Sequence, residues 1–190
     1  MTAARDPEPF PASMAWLLDN PLARALANRM ARRLPIQAGM RVVDVGCGPG
    51  RLTLPVARIV GEDGEVLAVD VQAEMLAIVE RRARREGLDN VRTLEEAAGA
   101  GAIPTGRYDA ALLATVLGEV PAERREPAVE EIAAALRPGG VLVVLEALFD
   151  PHRQSRQAVL ALAEPAGLRL EREERGRLVS QMLLRKQPGP

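Results

Sequence analysis

Residues 42–50 read VVDVGCGPG. An apolar run carrying one acid passes straight into three glycines at alternate positions, with a proline among them. Glycine costs backbone entropy, so the pattern needs a reason: a bare turn, or a backbone that something must approach closely. The residues before it, Arg41–Val45, predict a short buried strand. Those after it, Arg51–Val60, predict a helix with Pro55 early in it. A glycine-rich turn between a strand and the next helix opens backbone N–H groups to a ligand.

Outward from this turn the chain keeps alternating. Gly64–Asp70 predicts a strand. Gln72–Glu86 predicts a helix with Met75, Leu76, Val79 and Ala83 on one face, a Glu80–Arg84 pair and a Gly87 cap. Asn90–Leu94 and Tyr108–Ala114 predict strands, Pro121–Leu136 a helix, and RPGG a turn into the strand Val141–Glu146. Gln154–Ala166 predicts a helix ended by Gly167. Leu168–Glu174 and Leu178–Arg185 predict two strands turned at ERGR. Upstream, Asn20-Pro21 marks a helix start, with Leu22, Leu26, Met30 and Leu34 as one apolar stripe closed by Pro35. The expected fold is α/β: a Rossmann-like, doubly wound, mostly parallel seven-stranded sheet with a C-terminal antiparallel hairpin. Residues 1–35 form an N-terminal helical or lid segment and 36–190 a single domain. Ligands of such sheets sit at the carboxyl ends of the strands, near the switch point, which places the glycine turn at the site.

The details of the turn narrow the guest. A dinucleotide turn reads G-x-G-x-x-G, whereas Gly46, Gly48 and Gly50 are spaced G-x-G-x-G and followed by Arg51. The Lys-Ser/Thr of a phosphate loop is missing. Asp44 beside the turn would repel a phosphate and suits a positively charged ligand. Asp70, at the end of the second strand, is placed for ribose hydroxyls. A ribose, a cation and no phosphate at the turn fit S-adenosylmethionine.

Composition bounds the alternatives. The 190 residues suit one domain, with 47% apolar residues for a core and only 2% aromatic. A net charge of −1 shows no basic excess for nucleic acid. One cysteine and one histidine rule out a disulfide framework and make a metal site unexpected. No signal peptide and no membrane span are read in the chain, so the expectation is a cytoplasmic protein without membrane partners.

Four segments in order, VVDVGCGPGRLTLPVAR, GEVLAVDVQAEML, YDAALLATVLGEVP and LRPGGVLVVLEAL, resemble the class I S-adenosylmethionine-dependent methyltransferases. In flavour they look like the small bacterial type related to quinone-biosynthesis C-methyltransferases. The likeness covers residues 36–146, and the terminal hairpin matches in arrangement. It implies that residues 36–190 are one methyltransferase domain. In it Gly46, Cys47, Gly48 and Gly50 pass under the methionine part of the cofactor, and Asp44 organises hydrogen bonding around its ammonium. Asp70 takes the ribose hydroxyls, Val71 with the neighbouring Gln72 borders adenine, and the backbone at Ala114 and Thr115 borders the methionine tail and methyl group.

The chain departs from the family twice. The acid expected after the third strand falls on Ala97, with Glu95 and Glu96 just before it; either a shifted Glu substitutes or the backbone alone serves. Relatives often carry a His where this chain has Gly118, leaving Glu119 as the nearest ionisable residue and His152 as the other candidate base. Cys47 reads as a small loop residue rather than a nucleophile, since no base partners it. The charged run at 80–86 reads as a solvated helix face. Phe10, Met14 and Trp16 read equally as a lid over the substrate or as core packing.

The motifs of amino-directed DNA methylation, cytosine C5 methylation and arsenite methylation are missing. The expectation is therefore methyl transfer to a small molecule, with the acceptor pocket made by the N-terminal segment and the 147–154 loop; a homodimer could complete it. The competing readings are a non-catalytic cofactor-binding scaffold and a nicotinamide oxidoreductase, the latter disfavoured by Asp44 and Arg51.

Overall fold

The computed structural model describes Pro11, Ser13 and residues 21–188; the expectations for Phe10, Met14, Trp16 and the Asn20 cap lie outside them. Arg41–Val45 (β1) runs into the glycine turn and then Thr53–Val60 (α2), preceded by Pro21–Ala31 (α1). Glu65–Asp70 (β2), Ala73–Glu86 (α3), Val91–Glu95 (β3), Tyr108–Ala114 (β4), Ala122–Ala135 (α4) and Leu136–Ala147 (β5) follow. Arg156–Ala163 (α5), Leu168–Arg175 (β6) and Val179–Lys186 (β7) close the chain. The strands form one sheet of order β3-β2-β1-β4-β5-β7-β6. The first five are parallel, while β7 is antiparallel to both β5 and β6. The chain winds outward from β1 to β3 and returns to β4 beside β1, so the switch point lies between β1 and β4.

Strand alternation divides the core. Val43, Leu113, Leu142 and Val144 pack against Val129 and Ile132 of α4 and Val159 of α5. Val42, Leu112 and Val143, one residue out of phase, pack against Ala31 of α1 and Val56 and Val60 of α2. Both faces are covered, so the central strands are almost wholly apolar. The edge strand β6 (LRLEREER) is largely exposed and charged, which discourages pairing with other sheets.

The expected elements are present, with four corrections. In α1 the stripe turns the other way: Leu22 and Leu26 are 80% and 42% exposed, while Ala27 and Ala31 are buried. The helix lies against α2, and alanines let two backbones approach where leucines would hold them apart; only Met30 and Leu34 of the expected stripe join that core. The expected RPGG turn lies within β5: Leu136 pairs with Tyr108 and Val141 with Ala110, so Arg137–Gly140 bulge out of a continuous strand. Asp109 anchors the bulge from β4 through Arg137 at 2.6 Å. The helix expected over Gln154–Ala166 runs only from Arg156 to Ala163; Ser155 sets its start as the cap, accepting the Ala158 N–H at 3.1 Å. The helix expected from Arg51 begins at Thr53, after a turn.

Candidate functional site

The site forms where β1, β2, β4 and β5 end together. Gly46, Gly48 and Gly50 all adopt left-handed backbone (φ +66°, +52° and +79°), which side chains disfavour. Their surroundings differ. A Cβ on Gly46 would lie 2.4 Å from Val116 Cγ2, in the loop after β4, whereas a Cβ on Gly48 would meet nothing within 4 Å. The turn is packed from below at Gly46 and open at Gly48. Cys47 is buried, and its N–H is spent on the Val69 carbonyl at 3.0 Å. Burial, Asp44 and Asp70 push its thiol well above its ordinary value, so it stays protonated and is no nucleophile.

Asp70 ties three elements. One carboxylate oxygen accepts the Gly48 N–H at 2.8 Å and the other the Gln72 N–H at 3.0 Å, at the start of α3. Each oxygen keeps a lone pair for a further donor. Val71, next along the chain, is an apolar side chain 49% exposed. From β3, the Glu96 N–H reaches the Asp70 carbonyl at 3.1 Å, and the Glu96 carboxylate turns back to accept the Ala97 N–H at 3.0 Å. Glu95 pairs with Asp70 in register and is exposed. Of the two acids near Ala97, it is Glu96 that lies half-buried where the chain crosses the end of β2.

Asp44 is 2% exposed and accepts the Thr53 hydroxyl at 2.6 Å, binding the end of β1 to the first turn of α2. Burial raises its pKa to about 7 against the Thr53 hydrogen bond, with nearby Asp70 adding to the rise.

Ala114 ends β4, and Thr115 follows with φ +57°, the one non-glycine at positive φ among the described residues. A β-branched residue held there stores strain. Its N–H donates to the Leu145 carbonyl of β5 at 2.7 Å and its hydroxyl to the Ala114 carbonyl at 2.7 Å. Glu119 sits half-buried in the loop that follows, its N–H on the Val116 carbonyl at 2.8 Å. His152 is exposed, but its backbone presses on Gly118: a Cβ there would lie 2.0 Å from the His152 carbonyl oxygen. Any larger residue at 118 would drive the two loops apart, which accounts physically for glycine at this position.

Two residues at this edge escape sequence reasoning. Arg125 of α4 spans the Gly118–His152 junction, donating to the Val120 carbonyl at 2.9 Å, to Gln154 Oε1 at 3.3 Å and to the Gly118 carbonyl at 3.4 Å. Glu146, near the end of β5, is 1% exposed, and its carboxylate oxygens make no close hydrogen bond, the Gln154 backbone N–H being the donor that bears on them. Its signal was present: the strand runs VLVVLE, with an acid at or next to its last residue, as β1 and β2 have at Asp44 and Asp70.

Residues 42–140, more than half of the chain, match the methyltransferase domain family. The ubiquinone/menaquinone biosynthesis C-methyltransferase UbiE of Azotobacter vinelandii is 38% identical over 112 residues, which are 58% of this chain and 44% of that protein. The chain thus spans about half the length of the curated relatives it matches. A solved S-adenosylmethionine-dependent methyltransferase from Aquifex aeolicus superposes with a TM-score of 0.82 at 26% identity, covering 93% of this chain and 98% of that one. The [4+2]-cyclase SpnF shares the fold at TM-score 0.74 and 22% identity, over 88% of this chain and 82% of its own. Among the described residues no group of side chains could hold a metal ion, and no helix is long and apolar enough to cross a membrane.

Proposed function

Because the chain belongs to the class I S-adenosylmethionine-dependent methyltransferases, we propose that it transfers the methyl group of S-adenosylmethionine to a small-molecule acceptor. The supporting observation is Asp70: a carboxylate with a lone pair left on each oxygen, at a strand end beside the open backbone of Gly48 and the exposed Val71. A ribose offers two hydroxyl donors to such a group, and an adenine offers a flat face to such a valine. These residues fit the cofactor. Asp70 would hold the ribose, with Val71 and Gln72 at its adenine side. Gly46, Cys47, Gly48 and Gly50 would run beneath the methionine part and Asp44 would set the negative field under its ammonium. Glu96 and Ala97 would border the adenine edge, and Ala114 and Thr115 the methyl group.

When bound, S-adenosylmethionine supplies a methyl group on a cationic sulfur. The protein's part is to orient an acceptor toward that carbon and exclude water. The strained Thr115 fixes the floor of that space through its 2.7 Å bond to β5. The acceptor pocket would be closed by the 147–154 loop and the N-terminal segment, or by a second copy in a homodimer, and the enzyme would work in the cytoplasm.

Calorimetry with S-adenosylhomocysteine tests the cofactor half: binding is expected, weakened at least tenfold in Asp70→Asn, while binding of NADH in its place would sink the reading. Transfer of labelled methyl to catechol, hydroquinone or tyramine tests the chemistry. If Glu119→Gln and His152→Ala both keep full turnover, neither is the base. Tight S-adenosylhomocysteine binding with no transfer to any acceptor would leave the non-catalytic scaffold.

A further inference from the structure

Glu146 is the residue that the fold alone leaves unexplained. Burying a carboxyl group that makes no close hydrogen bond and has only the Gln154 N–H bearing on it is expensive, and an isosteric apolar side chain would serve a core better. Yet it stands one residue beyond Leu145, whose carbonyl receives the Thr115 N–H at 2.7 Å. It is therefore at the same sheet edge as the residues that border the methyl site. Ser180 pairs with it from β7. The charged groups facing it are Asp150 and Arg153, both in the segment after β5.

That segment is a cover. Leu148 and Phe149 are 38% and 78% exposed, so residues 148–149 contribute little to the core. Residues 150–154 are held by short local bonds, from the His152 N–H to Asp150 at 2.8 Å and from the Gln154 side chain to the His152 carbonyl at 2.9 Å. The segment is tied to the rest of the molecule by the Leu148 N–H on the Leu178 carbonyl at 2.8 Å and the Asp150 N–H on the Ala147 carbonyl at 3.1 Å at its root, and beyond them by the Gly118–His152 contact and the Arg125 bridge, whose bonds to Gln154 and Gly118 are long at 3.3 and 3.4 Å. A segment with few buried apolar contacts opens at low free energy.

We propose that Glu146 is the acceptor-side proton acceptor of this site, uncovered when residues 149–154 swing away from Gly118, and that the methyl acceptor presents an O–H or N–H group to it. The assignment rests on the methyl-transfer reading above. The step is a proton transfer. The acceptor's O–H or N–H bond breaks, its electron pair stays on oxygen or nitrogen, and the proton passes to a Glu146 oxygen, turning carboxylate into carboxylic acid. Burial raises the Glu146 pKa to about 7, with Asp150 adding to the rise and the Gln154 N–H and Arg153 opposing it. The closed segment therefore favours the protonated acid and the open one the carboxylate, so that proton capture and closure support each other.

The opening can be read without an acceptor. Carbodiimide with glycinamide, applied to the full chain loaded with S-adenosylhomocysteine, should label Glu146 at least tenfold faster than Asp44, an equally sealed carboxyl that nothing uncovers. Arg125→Ala should speed Glu146 labelling at least threefold and leave Asp44 unchanged. Equal labelling of the two carboxyls, or equal acceleration of both, overturns the proposal. With whichever of catechol, hydroquinone and tyramine the wild type methylates, Glu146→Gln should lower kcat at least tenfold while S-adenosylhomocysteine affinity stays within twofold. It should also flatten the rise of kcat with pH, which a merely structural role would not do. Unchanged kcat, or a product methylated at carbon or sulfur, overturns it. Failure of S-adenosylhomocysteine to bind would instead overturn the methyl-transfer reading, and is scored separately by calorimetry.

Discussion

Gly46 and Gly48 share a left-handed backbone and differ in what surrounds them, so the same substitution should do different things. Either Gly→Ala change carries the left-handed penalty of about 1 kcal/mol. At Gly46 the new methyl also meets Val116 at 2.4 Å, and urea denaturation should show a loss of at least ~2 kcal/mol. At Gly48 the methyl enters open space, so stability should fall by only about 1 kcal/mol while S-adenosylhomocysteine affinity drops in calorimetry. A larger stability loss at Gly48 than at Gly46 would mean that Gly48 is not the open one of the two, and unchanged affinity in Gly48→Ala that the cofactor does not pass over it. The residue types of this turn were legible in the sequence because only glycine tolerates such backbone. The roles within it were not: that Gly46 is packed by Val116, and that Asp70 grips the Gly48 N–H from 22 positions away, depend on contacts between distant segments.

Among the elements, α1 shows how far periodicity reaches. Its spacing correctly predicts a helix, but hydrophobicity alone picks the leucine face, and the docked face is that of Ala27 and Ala31. Ala31→Leu should therefore destabilise by about 1–3 kcal/mol through overpacking, whereas Leu26→Ala should change stability by less than ~0.5 kcal/mol. Thermal denaturation of the two variants decides it, and the reverse ranking would place the leucine face inward. The exposed Leu22 and Leu26 lie within the N-terminal segment, residues 1–35, expected to border the acceptor. By contrast the apolar face of α3 was legible: Met75, Leu76, Val79 and Ala83 are buried as spaced, Glu80 meets Arg84 at 3.7 Å, and Gly87 caps the helix in left-handed conformation. That face is built from large residues and meets the sheet, where size and burial coincide. The charged run at 80–86 is a correction: it is not wholly solvated, because Arg82 is buried and donates to the Pro49 carbonyl of the glycine turn at 2.8 Å. The bulge at Arg137–Gly140 was misjudged as a turn because glycines end a strand and interrupt one in the same letters; pairing with β4 decides between them.

For the whole molecule, two buried carboxyls set a pH dependence. The folded-state pKa values of Asp44 and Glu146 are both raised to about 7 from 3.8 and 4.5. Groups raised in this way hold their protons better when folded, so stability is greatest at low pH within this window. It declines as pH rises from about 4 to about 7 and is flat above. Glu146→Gln should remove part of that decline, gaining about 1–3 kcal/mol over wild type at pH 8 and little at pH 5. Urea melts at the two pH values check this, and an equal difference at both would show that Glu146 titrates alike in the folded and unfolded states, with no raised pKa. Alternating apolar strands and helices, with acids and glycines at the strand ends, are local patterns, and the sequence by itself determined from them the sheet, its winding and the family of its site. The tertiary structure alone decided which groups meet at that site: the closure of Gly118 on His152, the Arg125 bridge and the isolation of Glu146. Each of these depends on loops after different strands coming within a few ångströms, and no local pattern records that distance.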